Sequence, residues 1–297
     1  KQGARGQASP ALPPDAGRTM WSLEDFEQGP RIGTGSFGHI RVARSRLGGD
    51  VAALKIMKKR RIERLRCQRH VAHEIEIQGH LRHANVLRLY GYFWDASRIY
   101  LILEYAPGGD LAKLLKEQGG RLTEARAACS AAQVAAAIAY CHDMHVMHRD
   151  LKPPNVLVGH KSRLKLADFG WAVHTYPTER RWTLCGTLDY LPPEVVHATC
   201  GHSFGVDLWG LGILTYELLT GQPPFAAPSH EETYRRILQA SPTFPAGLSE
   251  GAKDFVARLL QRDEGLRMAA GDAPTHPWPA QHVQESSVAG VAASGGA

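Results

Sequence analysis

The sequence predicts an α+β fold of two lobes, a small antiparallel β-sheet with one main helix over a larger, mostly helical lobe. Three observations carry that expectation. Alternation of apolar and polar residues dominates 26–104, whereas apolar residues at helical spacing dominate 110–278. The 297 residues are 43% hydrophobic and 22% charged, enough apolar chain for two lobes with a cleft between them. No internal repeat is present. Composition then sets the expected boundaries: a disordered extension over 1–22, the small lobe over 23–104, the larger lobe over 105–280 with a long loop segment over 168–194, and a flexible tail over 281–297.

Taken in order, Lys1 to Met20 is rich in Ala, Gly and Pro and buries too little apolar surface to offset chain entropy. It lacks an initiator methionine, which suggests a further segment upstream. Gly33-Thr34-Gly35-Ser36-Phe37-Gly38-His39-Ile40 follows the pattern G-x-G-x-x-G-x-[VI]. Dinucleotide-binding loops share those glycines but open a helix. Here Ile40-Arg41-Val42-Ala43 alternates as a strand and leads through the Gly48-Gly49 turn into Val51-Ala52-Ala53-Leu54-Lys55. The expected product is a hairpin over a nucleotide, its glycines letting backbone amides approach phosphates with no Cβ in the way. Lys55 is then expected on the α- and β-phosphates. Nineteen residues on, Glu74 lies in a helical pattern over 70–81, with Ile77 and Leu81 at i+3 and i+7. It is the expected partner of Lys55, since Glu76 points about 200° away around the helix.

Lys58-Lys59-Arg60-Arg61 with Arg64, Arg66 and Arg69 is a dense basic run. It reads as a solvated helix face, with a nuclear-import patch or a dock for an acidic segment as alternatives. Leu122 to Tyr140 is apolar and alanine-rich, but Glu124, Arg126, Ser130 and Gln133 interrupt it. That pattern predicts a buried helix and no membrane span.

The chemistry concentrates in His148-Arg149-Asp150-Leu151-Lys152-Pro153-Pro154-Asn155, followed thirteen residues after Asn155 by Asp168-Phe169-Gly170. Phosphoryl transfer asks little covalent chemistry of a protein. It needs an in-line hydroxyl, a cation bridging the β- and γ-phosphates, and fixed positive charge. Asp150 supplies a base for the hydroxyl proton, Lys152 a cation for the γ-phosphate, and Asn155 and Asp168 the oxygens for Mg²⁺. Two such motifs at kinase spacing predict a protein kinase using ATP. From Asp168 to Glu194 the segment spans 27 residues and holds Arg180-Arg181-Trp182-Thr183. Thr183 is the expected phosphosite, because a phosphate adds nearly two negative charges that arginines can capture to order the loop. Arg149 is the first candidate captor and Arg181 the second.

Composition narrows the rest. Five cysteines (67, 129, 141, 185 and 200) are scattered and odd in number, which argues for a reducing compartment and against zinc. Cys185 on the loop has a redox-sensitive thiol as its alternative to a packed small residue. Of the fifteen histidines, the His70/His73, His80/His83 and His142/His145 pairs lack companion ligands at a zinc spacing. The net charge is +6, yet no aromatics interleave the basic run, so direct nucleic-acid binding is not expected.

Several runs resemble the Aurora-type mitotic serine/threonine kinases. They are Glu74-Ile75-Glu76-Ile77-Gln78-Gly79-His80-Leu81-Arg82-His83, Leu87-Arg88-Leu89-Tyr90-Gly91-Tyr92-Phe93, Leu101-Ile102-Leu103-Glu104-Tyr105-Ala106-Pro107, Asp168-Phe169-Gly170-Trp171-Ala172-Val173-His174 and Thr183-Leu184-Cys185-Gly186-Thr187-Leu188-Asp189-Tyr190-Leu191-Pro192-Pro193-Glu194. The similarity covers Phe26 to Trp278. It implies a nucleotide site of Ile32, Gly33, Gly35, Gly38, Ile40, Ala53, Lys55, Leu103 as gatekeeper, Glu104 and Ala106 as hinge, Asp110 and Leu157. It further implies a stack of Gln78, Leu89, Phe169 and His148, an anchor at Asp207 in a helix over 203–220, and a bridge from Arg267 to Glu194. Lys152-Pro153 implies Ser/Thr specificity. The implied partners are proteins with basic residues upstream of the target hydroxyl, and a spindle-assembly activator or inner-centromere scaffold docking on the small lobe. Gly91 resembles the spindle-activator class. Neither nucleic acid nor membrane is implied, and the catalytic domain is expected as a monomer in the nucleus, on the spindle, at the centromere or kinetochore, or in the cytoplasm.

Three residues depart from the family. Pro154 stands where a Glu is usual, which leaves basic-substrate selection to Glu217 and Asp110. His73 stands where an Arg reaches the loop phosphate, and Met268 replaces a Pro. Arg180-Arg181-Trp182-Thr183 itself reads as an Arg-Arg-x-Thr substrate and points to autophosphorylation. Two rival readings are a pseudokinase scaffold and a basophilic kinase controlled by second messengers. The first lacks support because every chemical residue is present. The second would carry a C-terminal aromatic motif, and no Phe or Tyr follows Phe255.

Overall fold

The computed structural model describes residues 21–35, 37–176, 179–181, 187–197 and 201–294, with side chains as far as Glu285. Two compact units emerge: the chain to His80 together with Arg88–Ala106, and Leu81–Leu87 together with the chain from Pro107 onward. The expected boundary after residue 104 therefore moves by two residues, and a loop of the first lobe joins the second. The reason is hydrogen bonding. Leu87 N–H donates to the Leu166 carbonyl at 2.8 Å, and the Asn85 amide donates to the Leu164 carbonyl at 2.9 Å.

The smaller unit holds β1 (Phe26–Gly35), β2 (Gly38–Ser45), β3 (Val51–Lys58), α1 (Lys59–Arg64), α2 (Gln68–His80), β4 (Leu89–Trp94) and β5 (Arg98–Glu104). The strands form one antiparallel sheet in the order β1-β2-β3-β5-β4. Pleating sends alternate residues to opposite faces. On one face Ala43, Leu54, Ile56, Tyr100 and Ile102 pack with Phe26 and Phe93, whose ring lies 4.6 Å from Tyr100. On the other, cross-strand neighbours line up as Ile40, Lys55 and Leu101, and beside them as Val42, Ala53 and Leu103. At Gly38 a Cβ would fall 1.8 Å from the Ile56 carbonyl oxygen, so only glycine lets the hairpin close onto β3. The Trp21 ring packs at a tilt, 5.5 Å from Phe26, and Ser22 forms a capping box with Asp25. The expected disordered extension thus ends earlier than residue 22, because an aromatic ring finds a place on the core.

The larger unit runs α3 (Leu111–Glu117), α4 (Glu124–Asp143), β6 (Val146–Met147), β7 (Val156–Val158), β8 (Leu164–Leu166), β9 (Val173–His174), α5 (Pro193–His197), α6 (Gly205–Thr220), α7 (His230–Gln239), α8 (Glu250–Leu259) and α9 (Pro277–Ser294). β6 pairs with β9 and β7 with β8, so the loops between them are tied at both ends. α6 is apolar all round and buried along nearly its whole length, the signature of a central helix. It starts two residues after the expected 203 and stops where Gly221 takes φ +92°, closing the last turn as only glycine does without strain. The expected flexible tail is helical through Ser294. Trp278 explains its start: the ring packs 5.4 Å from Phe255 and its indole donates to Glu124 at 2.9 Å, which seats α9 on α4 and α8.

Among the described residues, no helix is long and apolar enough to cross a membrane. Cys67, Cys129 and Cys141 are free thiols, and burial pushes the Cys141 thiol well up. Cys185 and Cys200 lie outside the described residues.

Candidate active site

Lys55 sits mid-strand on the face opposite the aromatic core, and α2 lies between β3 and β4 in the same unit. Glu74, buried at 3% exposure, meets the Lys55 ammonium at 2.6 Å. Its neighbour Glu76 is exposed. Helical spacing explains the difference: Val71, Glu74, Ile77 and Gln78 share the buried stripe of α2. Of the expected nucleotide residues, Gly33 is paired with Ile40, Ile40 with Lys55, and Ala53 with Leu103, so the sheet register brings these together. Ile32 is 46% exposed at the sheet edge. The Glu104 carboxylate accepts from the Arg88 N–H at 3.3 Å, and Ala106 is the last residue of this unit.

In the larger unit the loop between β6 and β7 carries Arg149, Asp150, Lys152 and Asn155. Its anchor is Asp207, fully buried near the start of α6. One carboxylate oxygen accepts the His148 N–H at 2.9 Å and lies 2.9 Å from His142 Nε2; the other accepts the Arg149 N–H at 2.8 Å. Burial works against the Asp207 charge, but His142, His148 and the Arg149 N–H outweigh it and hold the carboxyl below its usual range. His148 Nδ1 accepts the Asp150 N–H at 3.3 Å, which assigns the ring proton to Nε2, 3.0 Å from the Ala167 carbonyl. Phe169 meets the same ring edge-on at 5.0 Å. Gln78 and Leu89, the other members of the expected stack, are buried in the smaller unit.

Around Asp150 the polar groups converge. Lys152 Nζ lies 3.0 and 2.8 Å from the two Asp150 carboxylate oxygens and donates to Thr187 Oγ1 at 2.9 Å. Asn155 gives its amide N–H groups to the Asp150 carbonyl and carboxylate, each at 2.8 Å. That leaves the Asn155 amide oxygen as its acceptor, the atom a hard cation takes. Asp168 follows β8, whose end is tied down by Ala167 N–H to the Asn155 carbonyl at 2.8 Å. Its side chain is exposed and its backbone is left-handed at φ +62°. Arg149 is also left-handed, at φ +66°, and its Nε donates to the Trp171 carbonyl at 2.8 Å. No group of three or more His, Cys, Asp or Glu suited to a metal occurs among the described residues.

Thr183 lies outside the described residues. Arg181, two positions earlier in the chain, is paired by backbone hydrogen bonds with His202 at 2.9 and 2.8 Å, and its guanidinium reaches the His174 carbonyl at 2.6 Å and Glu179 at 3.1 Å. Downstream, Arg267 grips Glu194 through two bonds of 2.7 Å, with Gly205 and Gln261 carbonyls as further acceptors at 2.8 and 2.9 Å. Tyr190 donates to Glu217, whose carboxyl burial pushes up, with Asp189 adding to the effect. Asp110 caps α3 through the Lys113 N–H at 2.8 Å, and an isolated bridge pairs it with Leu157. His73 is exposed on α2. The contacts of His142, Thr187 and Tyr190 were not read from the sequence. His142 carries one signal in the sequence, its place six residues before His148, and its pairing with His145 points there only to a metal ligand.

The chain matches the protein kinase domain model over residues 26–279. It is 46% identical over 286 residues to Aurora kinase A-A of Xenopus laevis, covering 96% of this chain and 70% of that protein. It is likewise 46% identical over 275 residues to the serine/threonine-protein kinase Aurora-1 of Arabidopsis thaliana, covering 92% of each. Identity to an Aurora kinase of Patiria pectinifera is 45% over 268 residues, 90% of this chain and 65% of that one.

Proposed function

Because the chain belongs to the Aurora kinases, a family of protein serine/threonine kinases, we propose that it transfers the γ-phosphoryl group of ATP to Ser or Thr in basic sequence contexts on proteins of the mitotic spindle or chromosomes. The observation that carries this reading is the cluster at Asp150. A buried carboxylate is held by Lys152 and Asn155 on a loop pinned from beneath by Asp207.

The roles follow from that geometry. Asp150 orients the substrate hydroxyl and takes its proton. Lys152, already at hydrogen-bonding distance from Asp150, offers positive charge to the transferring group, and Lys55, held by Glu74, neutralises the α- and β-phosphates. Asn155 and Asp168 would hold Mg²⁺. Both present oxygens, and the Asn155 amide nitrogen is already committed to Asp150. When bound, the ion would supply positive charge to offset what develops on the phosphates.

Glu217 and Asp110 receive arginine upstream of the target hydroxyl, since Pro154 offers no carboxylate there. Phosphorylation of Thr183, captured by Arg149 and Arg181, activates the enzyme, and Arg180-Arg181-Trp182-Thr183 makes the chain its own substrate. A spindle-assembly or inner-centromere segment docks on the smaller unit, and the enzyme works on the spindle, at the centromere or in the nucleus.

The deciding experiment measures transfer from MgATP to a peptide containing Arg-Arg-x-Ser, with wild type beside Asp150→Asn and Thr183→Ala, and maps Thr183 by mass spectrometry. Transfer that vanishes in Asp150→Asn, falls strongly in folded Thr183→Ala and accompanies phosphate on Thr183 supports the reading. No transfer by the wild type, even after another kinase has phosphorylated Thr183, overturns it.

A further inference from the structure

The sheet face that carries the aromatic core in its middle is strongly basic along one diagonal. Register places Arg31 directly opposite Arg41, and Lys58 directly opposite Arg98. Like charges in directly opposed positions destabilise a sheet. Here two such pairs share one face, because Arg41 alternates with Ala43 on β2, Lys58 with Ile56 on β3, and Arg98 with Tyr100 on β5. His39 stands between them, opposite Ile56 and two residues from Arg41.

Arg31, Arg41 and Lys58 are paired with no carboxylate among the described residues. Arg31 instead donates to the Gly33 carbonyl at 3.2 Å and to Thr34 Oγ1 at 2.6 Å, and Arg41 to the Gly29 carbonyl at 3.0 Å. These bonds hold the guanidinium groups against the strands and leave N–H groups for a ligand. Arg98 has Tyr100 and Asp95 nearby, but Asp95 is already shared among Ser97, Arg98 and Tyr100 donors. The Arg31–Arg41 pair has no carboxylate to offset it, and the Lys58–Arg98 pair has only the shared Asp95 beside Arg98; opposed cations left this short of anions are the mark of a functional surface.

We propose that this face is a recognition site for a doubly phosphorylated peptide segment, with one phosphoresidue on Arg31 and Arg41, the other on Lys58 and Arg98, and His39 between them. Charge fixes the ligand class. Each pair carries two positive charges, which a phosphate dianion neutralises and a single carboxylate neutralises by half. The planar arginine fork also suits phosphate. Spacing fixes the peptide. Four residues along the strands and two strand intervals across separate the pairs by roughly 16 Å, the reach of four to five residues of extended chain.

Other occupants fit less well. Residues 1–20 carry Lys1, Arg5 and Arg18 against Asp15 alone, and residues 286–297 carry no acid, so these ends of the chain repel the patch or ignore it. A nucleic-acid strand would want exposed rings for base stacking, but Phe26, Phe93 and Tyr100 on this face are 3, 5 and 1% exposed.

Arg41, Lys58 and Arg98 lie on the sheet face opposite Lys55, so the test needs no ATP. The probe is a fluorescein-labelled peptide without arginine, with two phosphoserines five positions apart, titrated with the full chain and followed by anisotropy. The expected result is binding that weakens by about tenfold when either phosphate is removed, and by at least about tenfold in Arg31→Ala/Arg41→Ala and in Lys58→Ala/Arg98→Ala. Asp150→Asn should bind as wild type does, which separates this site from the catalytic reading. The His39 imidazole gives a second readout. Burial and then the charges of Arg31, Arg41, Arg98 and Lys58 hold it below the usual histidine range, and the bound peptide should bring it back up in an NMR titration. Equal binding by both folded double variants would overturn the proposal. So would an unmoved His39 at saturation, or tighter binding of a single-stranded oligonucleotide than of the peptide.

Discussion

Replacing Asp207 by Asn changes one atom's worth of chemistry beneath the catalytic loop and should cost most of the activity. The carboxylate accepts from two backbone N–H groups and faces His142, all between 2.8 and 2.9 Å. An asparagine that keeps its oxygen on the Arg149 N–H turns its amide nitrogen toward the His148 N–H, donor against donor. Hydrogen bonds to a charged group contribute about 1.5–3 kcal/mol each, so losing one and opposing it with a donor costs roughly 3 kcal/mol. Expressed in the ordering of the loop that carries Asp150, that is on the order of a hundredfold in kcat. The assay is steady-state peptide phosphorylation at matched Thr183 phosphate content, with a thermal melt to show the fold is intact. A kcat within about threefold of wild type would refute the reasoning, because the loop would then be set by something other than Asp207. The pH dependence has a definite sign. A carboxyl held below its usual value contributes stability that is present above about pH 4 and is lost only as pH falls through the lowered folded value, so the anchor should survive mild acid.

Three further outcomes follow from the same geometry. Glu74→Gln removes the buried partner of Lys55 and should raise the ATP KM by about tenfold with little change in peptide KM; equal effects on both would sever Glu74 from nucleotide binding. Arg267→Lys keeps the charge but loses the fork on Glu194 at a site where the arginine side chain is wholly buried. It should cost about 3 kcal/mol, or roughly 10 °C in the melting temperature, and a shift under about 2 °C would deny the bridge its structural role. Burial raises the Glu217 carboxyl, so on acidification it takes up its proton earlier than an exposed glutamate does. The KM for an arginine-bearing peptide should therefore climb as pH drops through that raised value, and Glu217→Gln should flatten the profile.

Much of the fold and of the candidate site was legible because the informative residues are local in sequence. Asp150, Lys152 and Asn155 fall within six positions, and loop closure over so short a span leaves them few ways to be apart. Glu74 was separable from Glu76 because a helix has one period and one buried stripe. The misses have the opposite character. His142 reaches Asp207 across 65 residues, and Lys152 reaches Thr187 across 35; such pairs depend on tertiary packing that no spacing rule encodes. The helical tail was missed because its small residues look like linker, whereas Trp278 at its start decides the matter. Trp21 was likewise lost in a segment whose average composition is that of a disordered chain. The basic diagonal escaped too, because Arg31, Arg41, Lys58 and Arg98 are 67 positions apart end to end and only strand register makes them neighbours.

Arg149 and Asp168 are non-glycine residues held with positive φ on either side of the loop chemistry. Each such backbone costs about 1–2 kcal/mol relative to an ordinary conformation. The enzyme thus keeps a small reserve of strain at two places where the chain changes direction, one beside Asp150 and the other at Asp168 itself. Glycine at either position would release the strain and make a more stable protein, at the loss of a guanidinium or a carboxylate. Selection for heat resistance that keeps activity should therefore leave Arg149 and Asp168 untouched while it repairs the surface.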